Sequence, residues 1–281
     1  SADPRVRRHA SDGGAVTALL LHLFDRNKID GAILSRPMGH FMRQPFLATT
    51  RKDIENATGF FPDTAHGLYR FGESMLAYSS IEKLNPMRQK GLSRVAMVAV
   101  PCQIKALRKM QALNLVPSDA VQYCFGLFCA GHFSFSKADQ QQIARLVGID
   151  WNDVLNIHIK DKFYLTLASG EQRSIELKAL DFMKRSACHF CADFSAELAD
   201  ISFGGMGAEA GWSTLMARTP KGRALLADGR SMGSLEQFSV SQNPRFASNA
   251  LEQVRNAAFA KKKNARYKRR RLKSDPVQVK I

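Results

Sequence analysis

The chain has no apolar run of the roughly 18–20 residues that a membrane-spanning helix needs. Its longest candidate, residues 15–21, is broken at His22 and Asp25. No apolar signal segment follows the opening Ser1-Ala2-Asp3-Pro4, so the expectation is a cytoplasmic protein. Neither G-x-G-x-x-G nor a Walker loop is present, which leaves a standard dinucleotide or nucleotide assignment unsupported. Acids are scarce beside bases, 25 Asp+Glu against 41 Lys+Arg, a formal charge of +16. The 5 cysteines are an odd number without a signal segment, which argues for thiols in a reducing compartment rather than a disulfide scaffold. No His–carboxylate constellation stands out: His9, His22, His40, His66, His132, His158 and His189 are scattered and read as structural or exposed.

What is present excludes general disorder, because 45% of the 281 residues are hydrophobic. A chain of this length buries a sizeable core, as one large domain or a domain with an appendage. The charge is concentrated at one end. Between residues 249 and 273, ten Lys/Arg and the single acid Glu252 carry +9 of the total. Such a run fits phosphate contacts, an anionic membrane surface, an acidic protein partner or a solvated helix. With only Phe259 and Tyr267 as aromatics, the segment lacks a stacking platform for nucleic acid.

Cys188-His189-Phe190-Cys191 is a C-x-x-C pair, open to metal or cluster ligation, a redox dithiol or chance. A zinc ribbon repeats the pair within about 15–20 residues, and no second pair occurs. His189 is not read as a ligand. The remaining cysteines are placed by strand patterns. Residues 94–100 form a β-branched apolar run that ends at Pro101-Cys102-Gln103, and a helical period follows. Residues 120–128 form a second run that ends at Cys129, with residues 136–147 helical beyond it. Strand–turn–helix repeats favour parallel pairing, and ligands collect beyond the carboxyl ends of such strands. Cys102 and Cys129 are therefore expected on one sheet edge, where they and the Cys188/Cys191 pair could close around a cluster. Cys124 falls within the second strand and reads as core.

Ser11-Asp12-Gly13-Gly14 precedes an apolar helical stretch from Ala15, with Ser11 or Asp12 as the expected N-cap. The glycines would admit a ligand to the backbone, and the helix N-terminus favours an anion; the alternative is a plain turn. Gly204, Gly205, Gly207 and Gly211, followed by Trp212, mark a tight loop beside something bulky or a flexible surface loop. Residues 157–167 and 174–177 flank Ala168-Ser169-Gly170-Glu171, a hairpin pattern expected to form a small subdomain.

Five motifs occur in order: Ser-Asp-Gly-Gly-Ala-Val-Thr-Ala-Leu-Leu from Ser11, Val-Pro-Cys-Gln-Ile-Lys-Ala-Leu-Arg-Lys-Met-Gln from Val100, Gly-Leu-Phe-Cys ending at Cys129, Ala-Cys-His-Phe-Cys-Ala-Asp-Phe-Ser-Ala-Glu-Leu-Ala-Asp-Ile-Ser from Ala187, and Gly-Trp-Ser-Thr from Gly211. Together they resemble the beta subunit of the deazaflavin-coenzyme (coenzyme F420)-reducing hydrogenases and related dehydrogenases. The resemblance runs from about residue 11 to residue 219, and the hairpin and basic tail also have counterparts. It implies one FAD, one 4Fe–4S cluster and hydride exchange with coenzyme F420. Carried over, Cys102, Cys129, Cys188 and Cys191 are the implied cluster ligands. Ser11, Gly13, Gly14, Thr17, Thr58, Gly59, Gln103 and Trp212 are the implied cofactor neighbours. One departure stands out: members commonly carry Gly-Ser/Thr-Lys-Tyr where this chain reads Thr58-Gly59-Phe60-Phe61-Pro62-Asp63-Thr64.

The expected fold is α/β with a mixed, partly parallel sheet flanked by helices. An oxidoreductase domain over 1–235 would carry a hairpin insertion at about 155–178 and a cluster segment at about 185–215. A basic helical tail, 236–281, would dock a partner or stay solvated. The expected function is electron transfer between a hydride carrier and a partner's redox chain, since a flavin joins two-electron to one-electron chemistry. Expected partners are redox subunits of a larger complex (iron–sulfur, hydrogenase, formate dehydrogenase or heterodisulfide-reductase-like), or an acidic ferredoxin. The alternatives are a ferredoxin-fed reductase of a small organic substrate and a zinc-containing nucleic-acid-binding protein.

Overall fold

The computed structural model describes residues 1–10, 12–37, 43–58, 68–71, 74–77, 80–159, 161–238 and 244–274. Strands β1 (Gly31–Pro37) and β2 (Arg43–Ala48) pair antiparallel, and β3 (Leu68–Phe71) and β4 (Ser74–Ala77) form a separate ribbon. Strands β5 (Val95–Ala99) and β6 (Val121–Leu127) follow, then β7 (Val154–Ile159), β8 (Phe163–Leu167), β9 (Gln172–Ile175), β10 (Ile201–Gly204) and β11 (Thr214–Ala217). Among the described residues the main sheet has the order β11-β10-β6-β5-β1-β2. Its four inner strands run parallel, while β2 and β11 close the edges antiparallel. The sheet is thus mixed and partly parallel, as expected.

Helices cover both faces, which is why β5 and β6 are apolar without alternation. On one face lie α1 (Pro4–His9), α2 (Ala15–Asp25), α3 (Arg51–Asn56) and α7 (Pro220–Ser231), through Val6, Leu19, Leu23, Ile54 and Leu225 packed with Phe125 and Phe203. On the other lie α4 (Leu84–Gln89) and α5 (Pro101–Ala112), through Leu84, Met87, Ile104 and Leu107. Cys124 belongs to this second core and is fully buried, in keeping with its strand pattern. Leu19, Leu20 and Leu23 on α2 are almost wholly removed from water, each contributing roughly 1.5–3 kcal/mol.

Two local readings are corrected. The N-cap of α2 is Gly14, in the left-handed conformation at φ 68°, with no side-chain cap; neither Ser11, which lies outside the described residues, nor Asp12 fills that position. Glycine adopts this conformation without steric cost, so the chain turns into α2 on backbone geometry alone. The expected hairpin is a three-stranded meander, β7-β8-β9, because residues 157–167 bend at the charged Asp161-Lys162 rather than running on as one strand. With α6 (Lys137–Val147) it encloses its own apolar cluster around Phe133, Phe163, Leu165 and Met183. The Ser136 hydroxyl and the Asp139 carboxylate form a capping box that starts α6.

The basic tail is the helix α8 (Pro244–Ser274). One stripe of it is covered, with Ala250, Val254 and Ala265 buried, and it lies along the 3-10 segment Ser186–Phe190, while Leu251, Phe259 and Tyr267 are exposed. Among the described residues no helix is long and apolar enough to cross a membrane.

Candidate functional site

Cys102 stands in the first turn of α5, immediately after β5, where Pro101 presets the helical backbone. Cys129 stands two residues beyond β6, and its N–H donates to the Phe194 carbonyl at 2.8 Å. Since β5 and β6 run parallel, both thiols reach the same sheet edge. Cys188 and Cys191 are brought to that edge by the 3-10 segment Ser186–Phe190.

Charge coupling links Cys102 to Cys188 and Cys191, and Cys129 to all three. Desolvation pushes the Cys102 thiol above its usual range although part of the residue is exposed, and the Cys191 and Cys188 thiolates push it further. Burial pushes Cys129 up to about 12, with Cys188, Cys102 and Cys191 adding to the rise. Thiolates that repel one another across a desolvated site are relieved by bound positive metal charge. Among the described residues no group of three or more His, Cys, Asp or Glu side chains is arranged to hold a single metal ion.

A cleft of about 220 Å³ opens beside the thiols. Its walls combine the start of α2 (Gly14, Thr17), the ends of β1 and β5 (Ser35, Val100), and Leu127 to Gly131 after β6. Phe128, Phe194 and Phe203 make it largely apolar, and Cys129 lies in its wall. Thr17 Oγ1 and Thr58 Oγ1 stand 3.5 Å apart on its rim, and Thr58 Oγ1 donates to the Glu55 carbonyl at 2.5 Å. The helix N-terminus opening onto the cleft suits an anionic group.

The remaining cofactor candidates divide. Gly13 is buried against the loop 211–213: its N–H donates to Ser213 Oγ at 3.0 Å, and a Cβ there would meet the Ser213 nitrogen at 3.1 Å. Trp212 belongs with Gly13 to a second cavity of about 510 Å³ behind the turn, where the Arg7 guanidinium lies 4.6 Å over its ring. Ser213 and Ala15 contribute to both cavities, so the glycine turn is the wall between them. Gln103 is buried in the first turn of α5 and lines neither cavity. Gly59 and residues 60–64, where the chain departs from the expected motif, lie outside the described residues, as does Ser11.

Sequence reasoning missed the cations that hold the cysteine segment. Lys261 Nζ donates to the carbonyls of Cys129 at 2.6 Å and Asp193 at 2.9 Å. Lys268 Nζ donates to His189 Nδ1 at 2.8 Å, and Arg269 donates to the Phe190 carbonyl at 2.8 Å. Burial first, then the Lys268 charge, hold the His189 imidazole below its ordinary pKa, so it accepts as the neutral ring. The readable signal was spacing: residues 250, 254, 261, 265 and 268 fall on one helical stripe that holds the buried Ala250, Val254 and Ala265.

An open α/β sheet with four thiols and an apolar cleft on its carboxyl edge defines a protein built to hold ligands where parallel strands end. Residues 1–69 match the family model described as coenzyme F420 hydrogenase/dehydrogenase, beta subunit N-term, and residues 92–243 match the corresponding C-terminal model. The chain belongs to the coenzyme F420 hydrogenase/dehydrogenase beta subunit family. It is 31% identical to the coenzyme F420 hydrogenase subunit beta of Methanococcus voltae over 85% of this chain and 82% of that one. It is 32% identical to the coenzyme F420-dependent sulfite reductase of Methanocaldococcus jannaschii over 84% of this chain, spanning only 38% of that enzyme. A solved F420-reducing [NiFe] hydrogenase complex from Methanosarcina barkeri contains a chain that superposes with a TM-score of 0.82 at 28% identity, covering 98% of this chain and 90% of that one. The chain is thus an oxidoreductase of an electron-transfer family, and the zinc-containing nucleic-acid reading falls away.

Proposed function

We propose that this chain is an electron-transfer subunit that links a hydride carrier, coenzyme F420 or a close analogue, to the redox centres of partner subunits through FAD and one 4Fe–4S cluster. Cys102, Cys129, Cys188 and Cys191 hold the cluster, and the cleft between α2 and the ends of β1, β5 and β6 holds the flavin. The observation that carries the reading is that Cys129 belongs at once to the group of mutually coupled thiols and to the cleft wall. FAD and the cluster, when bound, together convert two-electron hydride transfer into single-electron steps.

The chain's own residues position and seal. Gly14 and the first turn of α2 receive anionic phosphates, Thr17 and Thr58 offer hydroxyls at the rim, and Phe128, Phe194 and Phe203 exclude water from the cleft. Partner subunits are redox proteins of a larger complex, by analogy with the hydrogenase and formate dehydrogenase subunits it resembles.

Anaerobic purification followed by iron, flavin and zinc determination tests the reading. Iron and FAD are expected together, and a colourless protein with one zinc would sink it. Cys188→Ser should strip iron while flavin survives; unchanged iron content overturns the ligand assignment. Stopped-flow mixing with the reduced deazaflavin coenzyme, then with NADH, identifies the donor, and failure of both points to a ferredoxin-fed reductase.

A further inference from the structure

Lys261 joins two pieces of chain that are far apart in sequence. One of its carbonyl acceptors, Cys129, follows β6; the other, Asp193, lies two residues after Cys191. A single ammonium thus ties the sheet side of the thiol group to the C-x-x-C side. The side chain is half-buried, and its place on α8 is set by neighbours: Ala265 is buried one turn on, Lys262 pairs with Glu197 at 2.5 Å, and Lys268 is bound to His189. Both of these acceptors are neutral carbonyl oxygens. The Asp193 carboxylate is turned instead to the Glu197 N–H at 3.1 Å.

We infer that Lys261 is a positioning residue whose fixed positive charge sets the electron affinity of the centre held by Cys102, Cys129, Cys188 and Cys191. A thiolate-bound cluster becomes more negative when it takes up an electron. A cation held at the backbone of its ligands, in surroundings poorer in water than bulk solvent, favours that reduced state. Lys261 therefore raises the reduction potential and biases electrons from the cleft toward the cluster. The inference rests on the cluster assignment made above.

The test compares wild type, Lys261→Met and Lys261→Arg, each purified anaerobically as the full chain. Iron content comes first: a wild-type protein without iron removes the cluster assignment, and the inference falls with it. With iron present, a potentiometric titration followed by electron paramagnetic resonance reads the midpoint directly. Lys261→Met should retain iron and show a more negative midpoint, by about tenfold in the one-electron equilibrium, which is about 59 mV. Lys261→Arg, which keeps the charge, should stay close to wild type. An unchanged midpoint in an iron-replete Lys261→Met protein overturns the inference. So does equal loss of iron from both variants, because the contact would then be structural and indifferent to charge.

Discussion

Two halves of the thiol site are built by different means. Cys102 and Cys129 stand where β5 and β6 end, so a parallel ladder between buried strands determines how far apart they sit. Cys188 stands on a 3-10 segment outside the sheets and Cys191 follows its last residue, and the side chains of Lys261, Lys268 and Arg269 clasp it through nearby carbonyls and His189. The first half inherits the stability of the core. The second half leans more on polar contacts, each worth about 1 kcal/mol, between flanks anchored by the buried Met183 and Phe194. One side of the site is therefore preformed, and the other is free to adjust when something binds between them.

The largest expected effect lies on the sheet side. Gly126 in β6 is so closely covered that a Cβ would come within 2.3 Å of the Ala196 Cβ. Gly126→Val should cost about 3 kcal/mol or more, read as a large fall in thermal midpoint and loss of both halves at once. Next comes Asp200, buried beneath the strands, which accepts from the Cys124 N–H at 2.8 Å, Arg108 at 3.1 Å and Thr219 at 2.8 Å. Asp200→Ala leaves that N–H without its acceptor and removes the carboxylate from Arg108, which keeps only Leu198 and Gln111, at roughly 2–3 kcal/mol in chemical denaturation. A wild-type denaturation midpoint in this variant would contradict the reliance of β6 on that carboxylate.

Alkaline pH probes the sheet half again. Burial pushes the Cys124 thiol up to about 12 in the folded chain, against an ordinary value of 9.0. Its folded pKa is raised, so the neutral thiol's contribution is complete below pH 9 and is lost as pH climbs from about 9 toward 12. Cys124→Ala should accordingly lose less stability than wild type across that window in pH-dependent melts. Parallel slopes would refute the assignment. The smallest effect belongs to the clasp. Lys268→Ala or Arg269→Ala should change global stability by about 1 kcal/mol or less, yet speed hydrogen exchange in residues 186–191. If exchange accelerates equally at Cys102 and Cys129, the two halves are one unit and the contrast drawn above is wrong.

The sheet half was the legible half. Apolar runs and the helical periods after them announced β5, α5, β6 and α6, and with them the edge on which Cys102 and Cys129 stand. The short β10 was hidden because Phe203-Gly204-Gly205 reads as loop; its Gly204 is there because a Cβ would strike the Phe128 ring at 2.1 Å, a contact no local pattern reports. The cap of α2 escaped for a related reason: Ser11 and Asp12 are the better capping residues by chemistry, but the left-handed turn at Gly14 starts the helix later. In the tail the charge masked the pattern. Lys261 and Lys268 read as solvated cations until the buried alanines on the same stripe show which face is covered.

Cys129 occupies a boundary. Its thiol is coupled by charge to the other three, its carbonyl receives Lys261, and its residue surface forms part of the cleft wall. The cleft and the thiol group thus share a single residue as their partition. A change at this one residue would therefore alter the thiol group and the cleft wall together.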